Sequence, residues 1–331
     1  EVGHLIALAY PERIAHATDH TGNFKMSNGN TIFIDPCDSM AANEWLAIAS
    51  LNLASTSSSN PAQRRKGRVF LSAPVNWKNL PAQTCENISW DSKALAVKMQ
   101  QETRIGALII DSKPIQNASR ETVSNIICEA ARKDGLSMFD WNESVHRLQQ
   151  RVAQVAEWHP ELEIPDLSTE HLLTTARAWL PFYLEEGGKM KTSVTELKKL
   201  NLCEILWNIL PYDLQQEIDR LAPTHIRVPS GSNIRIDYRL GAEAPVLSVR
   251  LQECFGMTST PTVDAGRQPL LLELLSPGFK PVQLTQDLAS FWQGTYFEVR
   301  KELKRRYPKH FWPENPLESQ AVRGVKHTRH T

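Results

Sequence analysis

The spacing of the apolar residues changes twice along the chain, and these changes constrain the fold more than any other feature of the sequence. Up to about residue 115 the apolar residues fall in short extended runs, from Ser119 they recur every three or four positions, and from Thr224 they alternate again. Alternation is typical of strands and the longer period of amphipathic helices. The sequence therefore predicts a multidomain α+β protein with a β-rich part over 12–115, a helical subdomain over 119–222 and a sheet with a closing helix over 224–313.

A β-hairpin is the clearest element of the first part. Asn28-Gly29 lies between the β-prone runs 24–27 and 30–34, and both residues tolerate the positive φ of a type I′ turn. Further strands are predicted at 44–54, 67–73, 87–91, 94–102 and 104–113. The segment 55–66 is too polar to be buried, so we expect a surface loop between two strands of a compact all-β unit.

The helical subdomain has recognisable starts and stops. Its first apolar stripe runs from Val123 to Ala131, with Ser119 placed to cap the helix and Gly135 to end it. A second helix is predicted between a capping-box-like start at Asp140-Trp141-Asn142-Glu143 and His159-Pro160. Other helices are predicted at 169–179, 194–209 and 211–221. Ser193 and Glu196 have the spacing of a capping box at the start of the 194–209 helix.

The last part reads as a small antiparallel β-sheet closed by a C-terminal helix. The helix is predicted from Asp287 to Tyr307, because seven apolar residues recur there every three or four positions and leave a charged face outside. They are Leu288, Phe291, Trp292, Tyr296, Val299, Leu303 and Tyr307. Residues 314–331 are predicted to form a flexible basic tail.

Composition restricts the partners and the compartment. The chain of 331 residues carries 37 Lys and Arg against 37 Asp and Glu, so global charge gives no argument for a nucleic-acid or membrane partner. No stretch is long and apolar enough to span a bilayer. The five cysteines are far apart, which suits free thiols in a reducing compartment. We expect a cytoplasmic protein without a membrane partner.

Motifs for catalysis or metal binding are missing from the sequence. Gly187-Gly188-Lys189 lacks the flanking residues of a phosphate-binding loop, and the ten histidines form no convincing ligand cluster. Glu185 and Glu186 are interpreted as a solvated acidic patch, and Cys128 and Cys203 as core residues. We therefore predict no catalytic residue, no metal site, no cofactor and no small-molecule substrate for this chain.

Two basic clusters are the candidate RNA contacts. Their residues are Arg64, Arg65, Lys66 and Arg68 in the first, and Lys301, Lys304, Arg305, Arg306 and Lys309 in the second. A charged helix face is often only solvated, so phosphate contact and simple solvation both remain open for the second cluster. The β-rich part also offers six aromatic residues that either stack on bases or fill the core, namely Phe24, Phe33, Trp45, Phe70, Trp77 and Trp90.

Several stretches together resemble the HrpB family of bacterial DEAH/RHA RNA helicases. The longest are Phe291–Leu303 and Arg306–Pro313, and the others are Leu5–Ala15, Val228–Tyr238, Val249–Glu253, Leu274–Pro277 and Pro281–Leu288. The resemblance implies that residues 1–11 end a helicase-associated helical domain, that an OB-like antiparallel β-barrel covers 12–115, and that the rest is a C-terminal extension. The family ends in a denser Arg-rich tail than the Ala321–Thr331 segment found here, which puts an RNA contact by the tail in doubt.

The resemblance also implies a longer parent protein with two RecA-like ATPase domains that bind ATP and Mg²⁺. The phosphate loop, DEAH box and arginine finger of the family have no counterpart in this chain, so we expect no ATPase activity from it alone. Its expected role is that of an accessory region that contacts RNA weakly by itself and docks on the motor domains of the same parent. The alternatives are a protein-interaction scaffold that recruits the helicase to a partner, suggested by the acidic middle of the chain, and an independent enzyme.

Overall fold

The chain forms two compact units in the computed structural model, which describes residues 2–19, 22–52, 67–115, 118–239 and 241–324. One unit covers residues 1–127 and the other residues 128–331, so the division falls within a long helix. The fold is a mixed α+β architecture. The predicted domain boundaries at Ser119 and Thr224 do not coincide with this division and stay predictions.

The first unit contains a closed five-stranded barrel. Helix α1 (Val2–Ala9) precedes strands β1 (Ile14–Ala17), β2 (Asn23–Met26), β3 (Thr31–Phe33), β4 (Trp45–Asn52) and β5 (Gly67–Pro74). The strand order around the barrel is β1-β2-β3-β5-β4, and β4 pairs with β1 to close it. The predicted hairpin is confirmed as β2 and β3, with Gly29 at a φ of 90° in the turn.

The barrel is not fully antiparallel, because β3 and β5 run parallel to each other. Parallel neighbours need a connection longer than a hairpin turn, and here that connection contains β4. The interior is filled by alternate residues of the strands, all fully buried, namely Phe24, Met26, Ile32, Leu46 and Ile48.

Three further strands form a separate sheet and are not part of the barrel. They are β6 (Gln83–Asp91), β7 (Ala96–Ile105) and β8 (Leu108–Pro114), paired in that order and antiparallel. The predicted break at Thr103 is wrong, because β7 continues to Ile105 and the turn is at Gly106, whose φ is +59°. Ala107 then donates its backbone N–H to the Ser27 carbonyl at 2.7 Å, which ties this turn to the barrel hairpin.

Helices dominate the chain from Arg120 to Leu221. They are α2 (Arg120–Met138), α3 (Glu143–Trp158), α4 (Thr169–Thr174), α5 (Ala176–Trp179), α6 (Val194–Leu197), α7 (Leu202–Ile209) and α8 (Tyr212–Leu221), with a short hairpin of β9 (Glu185–Glu186) and β10 (Lys189–Met190). The predicted capping-box-like start at Asp140–Glu143 is corrected, because α3 begins at Glu143 and Asn142 caps it by accepting hydrogen bonds from the Ser144 and Val145 backbone. Ser193 and Glu196 form the predicted capping box.

Two further helix predictions are corrected. Gly135 does not end α2 but lies inside it, where a Cβ would come within 2.2 Å of a methyl carbon of Leu173. The glycine is thus explained by close packing rather than by a stop. The predicted helix over 194–209 is broken into α6 and α7, because Asn201 begins a new helix by accepting a hydrogen bond from the Glu204 backbone.

The last part of the chain contains a mixed sheet. Its strands are β11 (His225–Arg227), β12 (Asn233–Arg235), β13 (Val246–Arg250), β14 (Thr262–Val263), β15 (Gln268–Pro269), β16 (Leu271–Leu275) and β17 (Pro281–Thr285), of which β13, β16 and β17 form one sheet. The prediction of a purely antiparallel sheet is wrong, because β13 and β16 are parallel. The connection over 251–270 is long enough to carry the chain back from the end of β13 to a position beside its first residue, where β16 begins.

The predicted closing helix is two helices, α9 (Leu288–Gln293) and α10 (Tyr296–Arg306), which are separated at Gly294. The predicted apolar face is largely buried, although Val299 and Tyr307 are only half-buried. Residues 314–324, predicted as part of a flexible tail, are held to the unit by backbone hydrogen bonds. Gly256 donates to Pro316 at 2.9 Å, and Val322 donates to Gln252 at 3.0 Å.

Candidate nucleic-acid interface

Four outward residues of the barrel form a cationic and aromatic patch, which we call the barrel-face patch. Because Phe24 and Met26 point inward, Lys25 points outward from β2. Phe33 of β3 lies opposite Arg68 of β5, and Phe70 follows two residues later on the same side of the strand. The barrel-face patch therefore consists of Lys25, Phe33, Arg68 and Phe70.

The exposure of this patch fits a ligand contact better than core packing. Phe70 is 64% exposed, Lys25 and Arg68 are exposed, and Phe33 is half-buried. Among the described residues, neither Lys25 nor Arg68 has an ion-pair partner. Sequence reasoning selected Arg68 and the two aromatic residues, but it missed Lys25. The alternation of apolar and charged residues in Phe24-Lys25-Met26 was sufficient to predict that Lys25 points outward.

The other three residues of the first basic cluster, Arg64, Arg65 and Lys66, lie outside the described residues. They immediately precede β5 in the sequence, in the connection from β4. The remaining aromatic candidates are less exposed than Phe70. Phe24 and Trp45 belong to buried clusters, and Trp77 and Trp90 are half-buried.

The second basic cluster lies on and just beyond α10. Lys301, Lys304, Arg305 and Arg306 are exposed on the helix, and Lys309 is exposed in the turn that follows it. Lys304, Arg305 and Arg306 lie in the last helical turn, where positive charge also stabilises the helix dipole by about 0.3–1 kcal/mol each. Their positions are therefore compatible with a structural role that needs no ligand.

No group of three metal-binding side chains occurs in the described parts of the chain. The pair Glu185 and Glu186 is exposed, and an ion pair with Lys191 at 2.5 Å lowers the pKa of Glu186. Burial raises the pKa of the Cys128 thiol to about 11 and also raises the pKa of Cys203. Both thiols are therefore protonated near neutral pH, which disfavours a nucleophilic role.

The tertiary structure creates one histidine–carboxylate cluster that the sequence did not reveal. His159, at the end of α3, is buried, with Nδ1 at 2.7 Å from Glu161 and Nε2 at 2.6 Å from Asp264. Arg267 also donates to Asp264 at 3.2 Å. Hydrogen bonds that the His159 ring donates to Asp264, and then to Glu161, raise the pKa of His159. Asp264 is 105 positions away along the chain, so spacing gave no signal for this contact.

This cluster holds an unfavourable backbone turn in place. Asp264 and Ala265 both have positive φ values, 53° and 51°, which are unfavourable for residues other than glycine. The hydrogen bonds from His159 and Arg267 fix that turn against the end of α3. Neither carboxylate nor imidazole is hydrogen-bonded to a hydroxyl or thiol nucleophile in the described residues.

The described residues contain no helix that is both long enough and apolar enough to cross a membrane. Comparison with known proteins gives matches to HrpB-type helicases. Residues 179–316 match a family model described as ATP-dependent helicase C-terminal, HrpB_C. The ATP-dependent RNA helicase HrpB of Escherichia coli (strain K12) is 34% identical to the chain over 328 residues, which are 97% of this chain and 39% of that helicase.

Solved structures agree with the sequence comparison. The crystal structure of E. coli DExH-box NTPase HrpB matches with a TM-score of 0.60 and 33% identity, over 97% of this chain and 39% of that protein. A crystal structure of Escherichia coli DEAH/RHA helicase HrpB matches with a TM-score of 0.53 and 32% identity, over 94% and 38% of the two chains.

The fold and these matches make the chain similar to part of HrpB-type helicases, and the family model that matches describes their C-terminal part. Residues 179–316 are similar to the HrpB C-terminal family, and almost the whole chain is similar to HrpB-type helicases. The chain spans about two fifths of the length of these relatives.

Proposed function

We propose that this chain is an accessory region that contacts single-stranded RNA for a helicase motor, and that the barrel is an OB-like RNA-binding domain. The barrel-face patch carries the proposal, because it combines two cations with a 64% exposed Phe70 on one surface. Proteins that bind single strands use cations to follow the phosphates and aromatic rings to stack the bases.

The position of the patch on the barrel supports this function. OB-folds are five-stranded barrels that bind oligonucleotides on the face of strands 2 and 3 and on the loops between strands 1 and 2 and strands 4 and 5. Here Lys25 is on β2, Phe33 is on β3, and Arg68 is the second residue of β5, opposite Phe33. Arg64, Arg65 and Lys66 belong to the sequence between β4 and β5. The basic residues of α10 and Lys309 form a proposed secondary RNA contact.

The motor itself is proposed to reside in other domains of the same protein. The E. coli relative is described as an ATP-dependent RNA helicase and is much longer than this chain. RecA-like domains would bind ATP and Mg²⁺, and this chain would dock on them and add RNA contacts, in the cytoplasm. Its five cysteines are free thiols, as a reducing compartment requires.

The RNA proposal is tested by the double variant Arg68→Ala/Phe70→Ala. Loss of a stacked base weakens binding by about 1–3 kcal/mol, or roughly 5- to 100-fold. Loss of one phosphate contact reduces the slope of log K against log salt by about 0.7. Fluorescence anisotropy with a labelled oligouridylate of about 12 nucleotides measures both quantities. Extending the change to Arg64, Arg65 and Lys66 should weaken binding further and flatten the salt dependence.

A matched control removes the same kinds of side chain from the other sheet of the same unit. Lys98 and Ile109 are exposed on β7 and β8, so Lys98→Ala/Ile109→Ala removes one cation and one apolar side chain. The control should bind RNA as the unchanged chain does. Equal binding by the barrel-face variant and the control would contradict the proposed RNA site.

A scaffold function is the second candidate, and the surface around Phe182 favours it. Phe182 is 80% exposed, and the neighbouring Glu185 and Glu186 are exposed carboxylates. The carboxylates repel the phosphates of RNA and attract a basic protein, and the exposed aromatic ring offers such a partner an apolar contact. Association that survives nuclease treatment and is lost in Phe182→Ala would support this function.

A further inference from the structure

A pocket of about 370 Å³ lies within residues 128–331, between the start of α3, α7 and the β11–β12 hairpin. Its size falls in the range of about 300–1,000 Å³ that is usual for ligand pockets. Arg147, Arg151, Trp207, His225 and Arg235 are among the residues that line it. The pocket therefore joins an indole ring to several basic side chains.

Arg151 fixes the inner wall of the pocket. Its guanidinium is buried, donates to the Ala222 carbonyl at 2.5 Å, forms an ion pair with Asp219, and lies 5.4 Å from the centre of the Trp207 ring. These contacts satisfy Arg151 and hold the indole in place. Arg147 is partly exposed and pairs only with Glu143, a surface carboxylate that is 75% exposed.

The mouth of the pocket continues into a row of basic residues on the β11–β12 hairpin, which we call the hairpin row. His225 lies directly opposite Arg235, and Arg227 lies opposite Asn233 on the same outward face. In the described part of the chain, Arg227 and Arg235 have no ion-pair partner. Both guanidinium groups are therefore available to an anion on this face.

Arg323 extends the hairpin row at the turn of the hairpin. A Cβ at Gly231 would lie 3.4 Å from a terminal nitrogen of Arg323 and 3.8 Å from one of Arg227, so both guanidinium groups border the same glycine. The hairpin row consists of Arg323, Arg227, His225 and Arg235. It leads from the hairpin turn to the pocket.

The carboxylates near this surface already have partners. Asp237, which also lines the pocket, accepts a hydrogen bond from Arg239 at 2.7 Å. Glu253, behind the hairpin turn, is buried and accepts from Ser230 at 2.7 Å and from Arg250 at 2.8 Å. Neither is hydrogen-bonded to a cation of the hairpin row, so the surface is positive and open to an anionic ligand.

We propose that the hairpin row and the pocket form a second binding site for single-stranded RNA, in which the cations contact successive phosphates and one base enters the pocket beside Trp207. This inference rests on the proposed RNA-contacting function and adds a site that is separate from the barrel. Alternate residues of a strand are about 6.8 Å apart, comparable with the length of one extended nucleotide. The aromatic pocket favours RNA over an acidic peptide, because bases stack on aromatic rings.

The test uses the full chain and a labelled oligouridylate of about 12 nucleotides. Arg227→Ala/Arg235→Ala should weaken binding at least fivefold and reduce the salt slope by about 1.4, which corresponds to two phosphate contacts. Trp207→Leu keeps an apolar side chain, so it should weaken binding and leave the salt slope unchanged. A thermal melt of each variant shows whether it is folded.

The matched control is Lys198→Ala/Lys199→Ala, which removes two exposed cations from the same unit that do not line the pocket. The inference is overturned if this control weakens binding as much as the hairpin variant does, because general charge then explains the loss. It is also overturned if polyglutamate of equal length binds as tightly as RNA with the same dependence on Arg227 and Arg235.

The experiments distinguish a failure of the hairpin site from a failure of the barrel site. If the hairpin variant binds RNA normally and Arg68→Ala/Phe70→Ala does not, the inference about the hairpin row is wrong and the barrel proposal stands. The reverse result removes the barrel site and keeps the hairpin site. If the unchanged chain binds no RNA at low salt, both are wrong.

Discussion

Replacing Trp292 by alanine should strongly destabilise the unit that covers residues 128–331. Trp292 is 2% exposed, and its ring centre lies 5.0 Å from Phe291, 5.3 Å from Tyr296 and 6.1 Å from Phe255. Its indole N–H also donates to the Met257 carbonyl at 2.9 Å. Truncation of a buried tryptophan to alanine costs about 3–5 kcal/mol.

The assay is differential scanning calorimetry, because two compact units can unfold in separate transitions. For a unit of 150–250 residues each kcal/mol corresponds to about 2–4 °C, so the transition of the second unit should fall by roughly 6–20 °C. Trp292→Phe, which keeps most of the ring packing but leaves the Met257 carbonyl without its donor, should cost about 1–3 kcal/mol.

Lys304→Ala is the matched control on the neighbouring helix. Lys304 is exposed on α10, and a surface substitution of this kind changes stability by no more than about 0.5 kcal/mol. If Trp292→Ala melts like Lys304→Ala, the packing argument is refuted. The aromatic face of α9 and α10 would then be a candidate docking surface for the motor or for RNA.

Three further outcomes are expected. Gly106→Ala should destabilise the first unit by about 2 kcal/mol or more in a thermal melt, because φ is +59° and a Cβ would lie 2.3 Å from the Ser27 carbonyl oxygen. The control is Gly188→Ala, where φ is +78° but a Cβ would have nothing within 4 Å. Its loss of stability should be smaller. The stability that His159 contributes should be complete below its ordinary pKa of 6.5 and should decrease as pH rises through its raised folded-state pKa. His159→Gln should remove this pH dependence in urea titrations, and an unchanged profile would exclude His159 as its cause. The purified chain should show no ATP hydrolysis above background with or without RNA in a phosphate-release assay, since it lacks a phosphate loop and a Mg²⁺-binding carboxylate; a turnover that copurifies with the chain and responds to RNA would contradict this.

Local patterns in the sequence determined most of the individual elements. The hairpin at Asn28-Gly29 and the capping box of Ser193 and Glu196 are confirmed, because turn and cap preferences arise from residues close together in the chain. The buried face from Leu288 to Leu303 was also predictable from its period. The resemblance to HrpB-type helicases was recognisable from the C-terminal block of the sequence.

Only the tertiary structure decided the sheet partners and the candidate sites. The parallel pairing of β13 with β16 and of β3 with β5 depends on how long connections return, and a strand's own residues do not specify its neighbour. Gly135 was predicted to end a helix. The close contact with Leu173 that explains this glycine involves a different helix, so the local sequence gave no signal for it. The same reason applies to the pocket: Arg147, Trp207 and Arg235 lie on three elements far apart in sequence, so no local pattern joins them, and they meet only when their elements pack together.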